Sequence, residues 1–148
     1  MGKTIRLQLY FVGTSLLLTS FYELVQIHAY NFYGDNTLMA TVFFVPLRIV
    51  EGVFVLFFNF NVVALARKNK FWFKKLHLSD FSLFTLLGVV YTQYNEVLNV
   101  YFLNTWGYKR FLPLMPVFRI GITPFVQWAV FAPLIVIIFR DWYSAADA

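Results

Sequence analysis

LMATVFFVPLRIVEGVFVLFFNFNVVALA, residues 38–66, runs directly into RKNKFWFKK, residues 67–75, and this junction decides how the chain folds. The first stretch is long and apolar enough to cross a bilayer, which takes about 20 residues with a range of roughly 17 to 25. Its length implies tilt or extension past the hydrocarbon. The second stretch holds Arg67, Lys68, Lys70, Lys74 and Lys75, five of the twelve basic residues. A basic cluster flanking an apolar segment is the mark of a cytoplasmic loop.

Working outward, three more apolar segments appear: Ile5 to Ala29, Phe81 to Leu103 and Ile122 to Phe139. The first follows Lys3 and Arg6, an arrangement that resembles a signal peptide. The run is long, however, turns polar at Tyr22-Glu23 and lacks a small-x-small cleavage site, so it predicts a retained helix. The composition agrees with a membrane protein. Of 148 residues, 60% are hydrophobic, 22% aromatic and only 13% charged, against about 25% charged in a soluble domain. Mean hydropathy is +0.67. The expected fold is an all-α integral membrane protein, a four-transmembrane-helix bundle forming one domain over residues 1–148. An interfacial aromatic and basic loop joins helices 3 and 4.

The net charge of +5 follows from the loops. Lys3, Arg6, the five residues of 67–75 and Arg140 fall on one side, against Lys109, Arg110 and Arg119 on the other. The positive-inside rule then sets both termini in the cytoplasm. No soluble module remains to bind nucleic acid. The segment YNFYGDNT, residues 30–37, reads as a short polar turn. Trp72, Trp106, Tyr108 and Trp128 are of the types that sit at headgroup level, and Lys109, Arg110 and Arg119 are expected to reach the same interface. Ser79-Asp80 is positioned to cap the third helix, Pro124 fits a first turn, and Pro46 and Pro133 are expected to kink their helices.

The polar residues inside the spans are the candidate site. At about 1.5 Å per residue, Glu23 lies about 9 Å from the outer end, Glu96 about 10 Å, Gln127 about 7 Å and Arg48 about 15 Å. An intramembrane charge costs roughly 2.5–3.5 kcal/mol and faces the bundle interior with a partner. Arg48 and Glu51 are three apart and can pair on one face. Glu23 and Glu96 have no local cation, so Arg48 is expected to reach one of them. Gln93, Glu96 and Asn99 recur at three-residue steps as a slanting stripe, with Asn95 four before Asn99. Such a cluster reads either as an interhelical hydrogen-bond network, or as a site for a ligand, lipid, ion or substrate. Interhelical hydrogen bonds are worth about 0.6 kcal/mol on average.

Several chemistries are absent. There is no cysteine, hence no disulfide or thiolate ligand. A di-iron bundle needs Glu-x-x-His pairs, and none occurs. His28 and His77 are expected on opposite sides of the membrane. There is no Gly-x-Ser-x-Gly, no P-loop and no dinucleotide fingerprint. No metal or cofactor is implied.

TWGYKRFLPLMPVFRIGITPFVQW, residues 105–128, resembles the tryptophan-aromatic and late-proline pattern of carotenoid-cyclase-type membrane domains. That resemblance implies a Pro-x-Glu-Glu near the following helix, where this chain has Thr123-Pro124-Phe125-Val126-Gln127, so no activity is carried over. The expected function is a small, non-catalytic subunit or accessory protein of a larger membrane complex, in contact with lipid and with other membrane subunits. The alternatives are a lipid or isoprenoid enzyme or binder using the intramembrane carboxylates and Arg48, and an ion or proton conductor.

Overall fold

The computed structural model describes residues 2–32, 38, 40–116 and 118–147; most of the turn expected over 30–37 lies outside the described residues. Four helices dominate. Helix α1 is Lys3–Gln26, continued by a 3-10 turn at Ile27–Ala29. Helix α2 is Val45–Ala66, preceded by a π turn at Ala40–Phe44. Helix α3 is Leu78–Val97, followed by a π turn at Leu98–Phe102. Helix α4 starts at Ile122–Val126, widens into a π turn at Gln127–Phe131, and continues as Ala132–Asp147. Two stretches, Val42–Ala66 and Ile122–Ala146, are long and apolar enough to cross a membrane.

The prolines explain two of the π turns. Pro46 and Pro133 each fall within two residues of the end of one. Proline has no N–H to donate, and its ring would strike the carbonyl four residues back. A wider turn relieves that crowding, and such bulges are a known cause of local helix distortion.

The fourth helix runs past Phe139, the end expected from hydropathy, to Asp147. Arg140 donates to Asp141 at 2.8 Å, and Tyr143, one turn on, is buried against Phe73 and Phe139. Packing therefore extends the helix beyond its apolar run. The third helix also starts earlier than expected. Its N-cap is His77 rather than Ser79-Asp80, and Asp80 accepts from the His77 backbone N–H at 3.2 Å. At its far end α2 closes with Lys68 in the left-handed region, φ 51°. The Lys68 N–H donates to the Leu65 carbonyl and the Asn69 N–H to the Ala64 carbonyl, the two bonds of a Schellman ending.

The helices run up and down. The N-terminus of α1, the α2–α3 loop and the C-terminus of α4 share one end: Lys70 donates to Thr4 at 3.5 Å, Arg6 donates to the Ala146 carbonyl, and Phe71 packs on Tyr143. This basic half is filled by aromatic rings. Phe11 meets Phe60 at 4.2 Å and Phe139 at 5.1 Å, while Phe73 meets Phe139 at 4.7 Å. At the opposite end a feature not expected from the sequence appears. Tyr30–Phe32 (β1) pairs antiparallel with Trp106–Tyr108 (β2), Tyr30 opposite Tyr108.

Close helix approach depends on small residues. Thr14, Ser15 and Thr19 are buried on α1, and a Cβ at Gly52 of α2 would stand 2.9 Å from Thr19 Cγ2. In α3 a Cβ at Gly88 would lie 1.8 Å from the Trp128 ring.

Candidate functional site

The buried face of α3 is a row at four-residue steps: Asp80, Phe84, Gly88, Thr92 and Glu96. Of the three-step stripe expected from the sequence, Glu96 belongs to this row, while Gln93 and Asn99 are half-buried beside it. Four-residue spacing keeps side chains stacked on one side of a helix, so the row carries Glu96 to the bundle interior, where it is 0% exposed. Tyr91 and Asn95, also four apart, face α2 instead.

Glu96 is surrounded by donors from distant parts of the chain. Trp106 Nε1 donates to its Oε2 at 3.2 Å, and the Tyr108 hydroxyl donates to the same oxygen. The Tyr30 hydroxyl lies 3.5 Å from Oε1, and so does Arg48 Nη2. The ribbon of β1 and β2 is thus the device that brings three aromatic donors onto one carboxylate. Burial, and then the adjacent Glu96 carboxylate, push the Tyr30 and Tyr108 phenols well above their ordinary range. Both remain protonated donors at neutral pH.

Arg48, one turn into α2, joins this carboxylate to a second. Its Nη1 donates to Glu51 Oε2 at 2.9 Å, and its guanidinium lies 5.1 Å from the Trp106 ring centroid. Glu51 also accepts from Asn95 Nδ2 at 2.7 Å and from the Tyr91 hydroxyl. Asn99 donates to Asn95 Oδ1 at 2.8 Å, which fixes the amide that faces Glu51. The pairing of Arg48 with both Glu51 and Glu96 is a compact charge network, with hydrogen bonds at most of its oxygens.

Glu23 is held differently. It is buried, and it accepts from Gln26 Nε2 at 2.6 Å and from Gln127 Nε2 at 3.4 Å. Between Glu23 and Arg48 lies a cavity of about 20 Å³, also lined by Gln26, Tyr30, Phe44 and Trp106. That is room for one water molecule. Next to it, Tyr22 donates to the Thr123 carbonyl at 2.6 Å and ties α1 to α4.

Of the residues expected at the site, Glu23, Arg48, Glu51, Asn95, Glu96, Asn99 and Gln127 gather at this end. Gln93 does not join them: its side-chain amide is buried and has no hydrogen-bond partner among the described residues. Tyr30, Tyr91 and Gln26 belong to the network and were not expected. The Tyr91–Asn95 spacing was a readable signal; Tyr30 depends on a strand pairing that no local pattern announces.

The residues expected at headgroup level divide. Trp72 and Trp128 are each 3% exposed and packed in the core, and Trp106 is buried over Arg48. Their rings face the protein interior, because each indole N–H or face has a partner there, as in the bond from Trp72 Nε1 to the Phe60 carbonyl at 3.2 Å. Tyr108 turns inward to Glu96. Arg110 and Arg119 remain exposed and Lys109 half-buried. His28 and His77 sit at opposite ends of the bundle, and no group of metal-ligating side chains occurs among the described residues. Comparison with protein-family models, curated proteins and solved structures returns no match.

Proposed function

We propose that the chain is a four-span membrane protein, with its termini and basic loop on the cytoplasmic side, that packs into a larger membrane assembly without catalysing a reaction. Here the polar cluster is a clamp that closes the outer end of the bundle and fixes a shaped surface there. One observation carries the reading: Glu96 is wholly buried and its oxygens are occupied by Arg48, Tyr30, Trp106 and Tyr108 of the same chain. A site kept for a substrate leaves such groups reachable, and the adjoining cavity admits little more than water. The aromatic packing of the other half argues against a polar path for ions. The outward display of Phe21, Phe54, Phe58 and Tyr94 offers rings to lipid or to neighbouring helices.

Purification in a gentle detergent tests this. Stoichiometric membrane partners are the expected result, and a solitary chain that turns over a substrate would overturn it. Glu96→Gln sharpens the outcome, since loss of assembly marks a clamp and loss of turnover in an intact assembly marks a site.

A second reading is favoured by Glu23. It is buried beside a water-sized cavity and bonded to neutral amides, and the cluster holds three carboxylates for one arginine. That imbalance suits a bound proton or a small cation.

A further inference from the structure

A much roomier cavity than the one at the polar cluster lies at the opposite end of the bundle. It measures about 410 Å³ and is walled by Arg67, Asn69, Lys74, Lys75, His77 and Asp80, over Phe71 and Trp72. We propose that this pocket binds the phosphate of an anionic lipid headgroup. The inference rests on the membrane reading above.

The wall chemistry suits a phosphate diester. The pocket sets three formal cations against one carboxylate: buried Asp80 is paired with Arg67 and bonded to the His77 N–H, so the net positive charge comes from Lys74 and Lys75. Arg67 itself is held in place, because it also donates to Ser79 Oγ at 2.6 Å. The Arg67–Asp80 pair thus fixes the pocket wall, against which exposed Lys75 supplies a charge-assisted donor for an anion. Lys74, which also lines the pocket, holds its Nζ over the Phe71 and Tyr143 rings at 5.4 and 5.6 Å.

A lipid, rather than free phosphate, is the occupant because of what flanks the pocket. Leu65 and Leu78, at the ends of the two helices that frame it, are 79% and 83% exposed. An acyl chain lying along them would carry its headgroup to the cations. Anionic lipids are also the natural counterpart of a basic segment on the cytoplasmic leaflet.

The test is binding of the detergent-purified full chain to lipid nanodiscs of phosphatidylcholine with or without phosphatidylglycerol. The expected result is preference for phosphatidylglycerol, weakened about tenfold in Lys74→Gln/Lys75→Gln, roughly 1.4 kcal/mol. Lys109→Gln/Arg110→Gln, which removes as much charge at the other end, should change it little. Lys75→Gln alone, at an exposed position, should show part of the loss in a chain with unaltered thermal unfolding. Equal losses in both double variants would overturn the pocket in favour of general surface charge. Displacement by millimolar inorganic phosphate, without any headgroup preference, would overturn the lipid as occupant. A chain that stays soluble without detergent would overturn the membrane reading instead, whereas one that fractionates with membranes and ignores headgroup charge overturns the pocket alone.

Discussion

Asp80 and Glu96 stand at the two ends of one buried row on α3, and each faces an arginine. The two pairs are built in different ways. Arg67, partner of Asp80, is 40% exposed on its side chain and comes from the neighbouring loop. Arg48, partner of Glu96, is 18% exposed and comes from the first turn of another helix. Where water reaches the cation, one nearby partner and a helix cap are enough. Where it does not, the carboxylate gathers donors from α2, β1 and β2. A charge in a dry setting has to be satisfied by the fold, and the ribbon between residues 30 and 108 is how this fold does it.

The sharpest way to break that contrast is to remove each arginine. Arg48→Met strips from Glu51 and Glu96 the cation that pairs with both, and should cost about 3–5 kcal/mol, the typical penalty for a buried charge left unpaired. Arg67→Met should cost less, about 1.5–3 kcal/mol, because buried Asp80 loses a charged hydrogen bond but keeps the one from the His77 N–H. Equal losses in reversible unfolding in detergent would mean that the two ends do not differ. Adding Glu96→Gln to Arg48→Met should recover part of the loss if the two are coupled.

Tyr108→Phe removes one donor to Glu96 while keeping the ring. A hydrogen bond to a charged group is worth about 1.5–3 kcal/mol, so unfolding should shift by that amount, with faster amide exchange along the Tyr30–Tyr108 ribbon. No change in exchange would separate the ribbon from the carboxylate.

The middle of the row should respond to size rather than charge. Gly88→Ala drives a methyl into Trp128, and overpacking of this sort costs about 1–3 kcal/mol. Trp128→Phe in the same chain should restore some of it, because the smaller ring vacates the space.

The smallest effect is expected in the aromatic half. Gln8 donates to Asn61 at 3.0 Å, an interhelical bond of the kind worth about 0.6 kcal/mol. Gln8→Leu should therefore barely move the midpoint of unfolding. A loss as large as that of Tyr108→Phe would erase the distinction between the two halves.

How much of this was legible beforehand depends on the range of each interaction. The pairing of Arg48 with Glu51 could be read, since three residues on a helix bring the groups together whatever surrounds them. The gathering of Glu23, Glu96 and Gln127 at one end also followed, because helix rise converts position into depth. The four-residue row could not be chosen over the three-residue stripe, as both lie on plausible faces until a neighbour packs. The inward turn of Trp106 and Tyr108 was hidden for the same reason. An aromatic ring beside cations suits a membrane interface as well as it suits a buried carboxylate.

By itself the sequence determined the apolar helical segments, the basic end and the polar end, for these depend on local composition and period. Tertiary structure alone decided which face of α3 is buried, how far α4 extends and which groups answer Glu96. Those outcomes rest on residues far apart in the chain, such as Tyr30 and Tyr108, 78 positions from one another. Contacts of that range form only once the helices have packed and the ribbon has closed, so no window of the chain contains them.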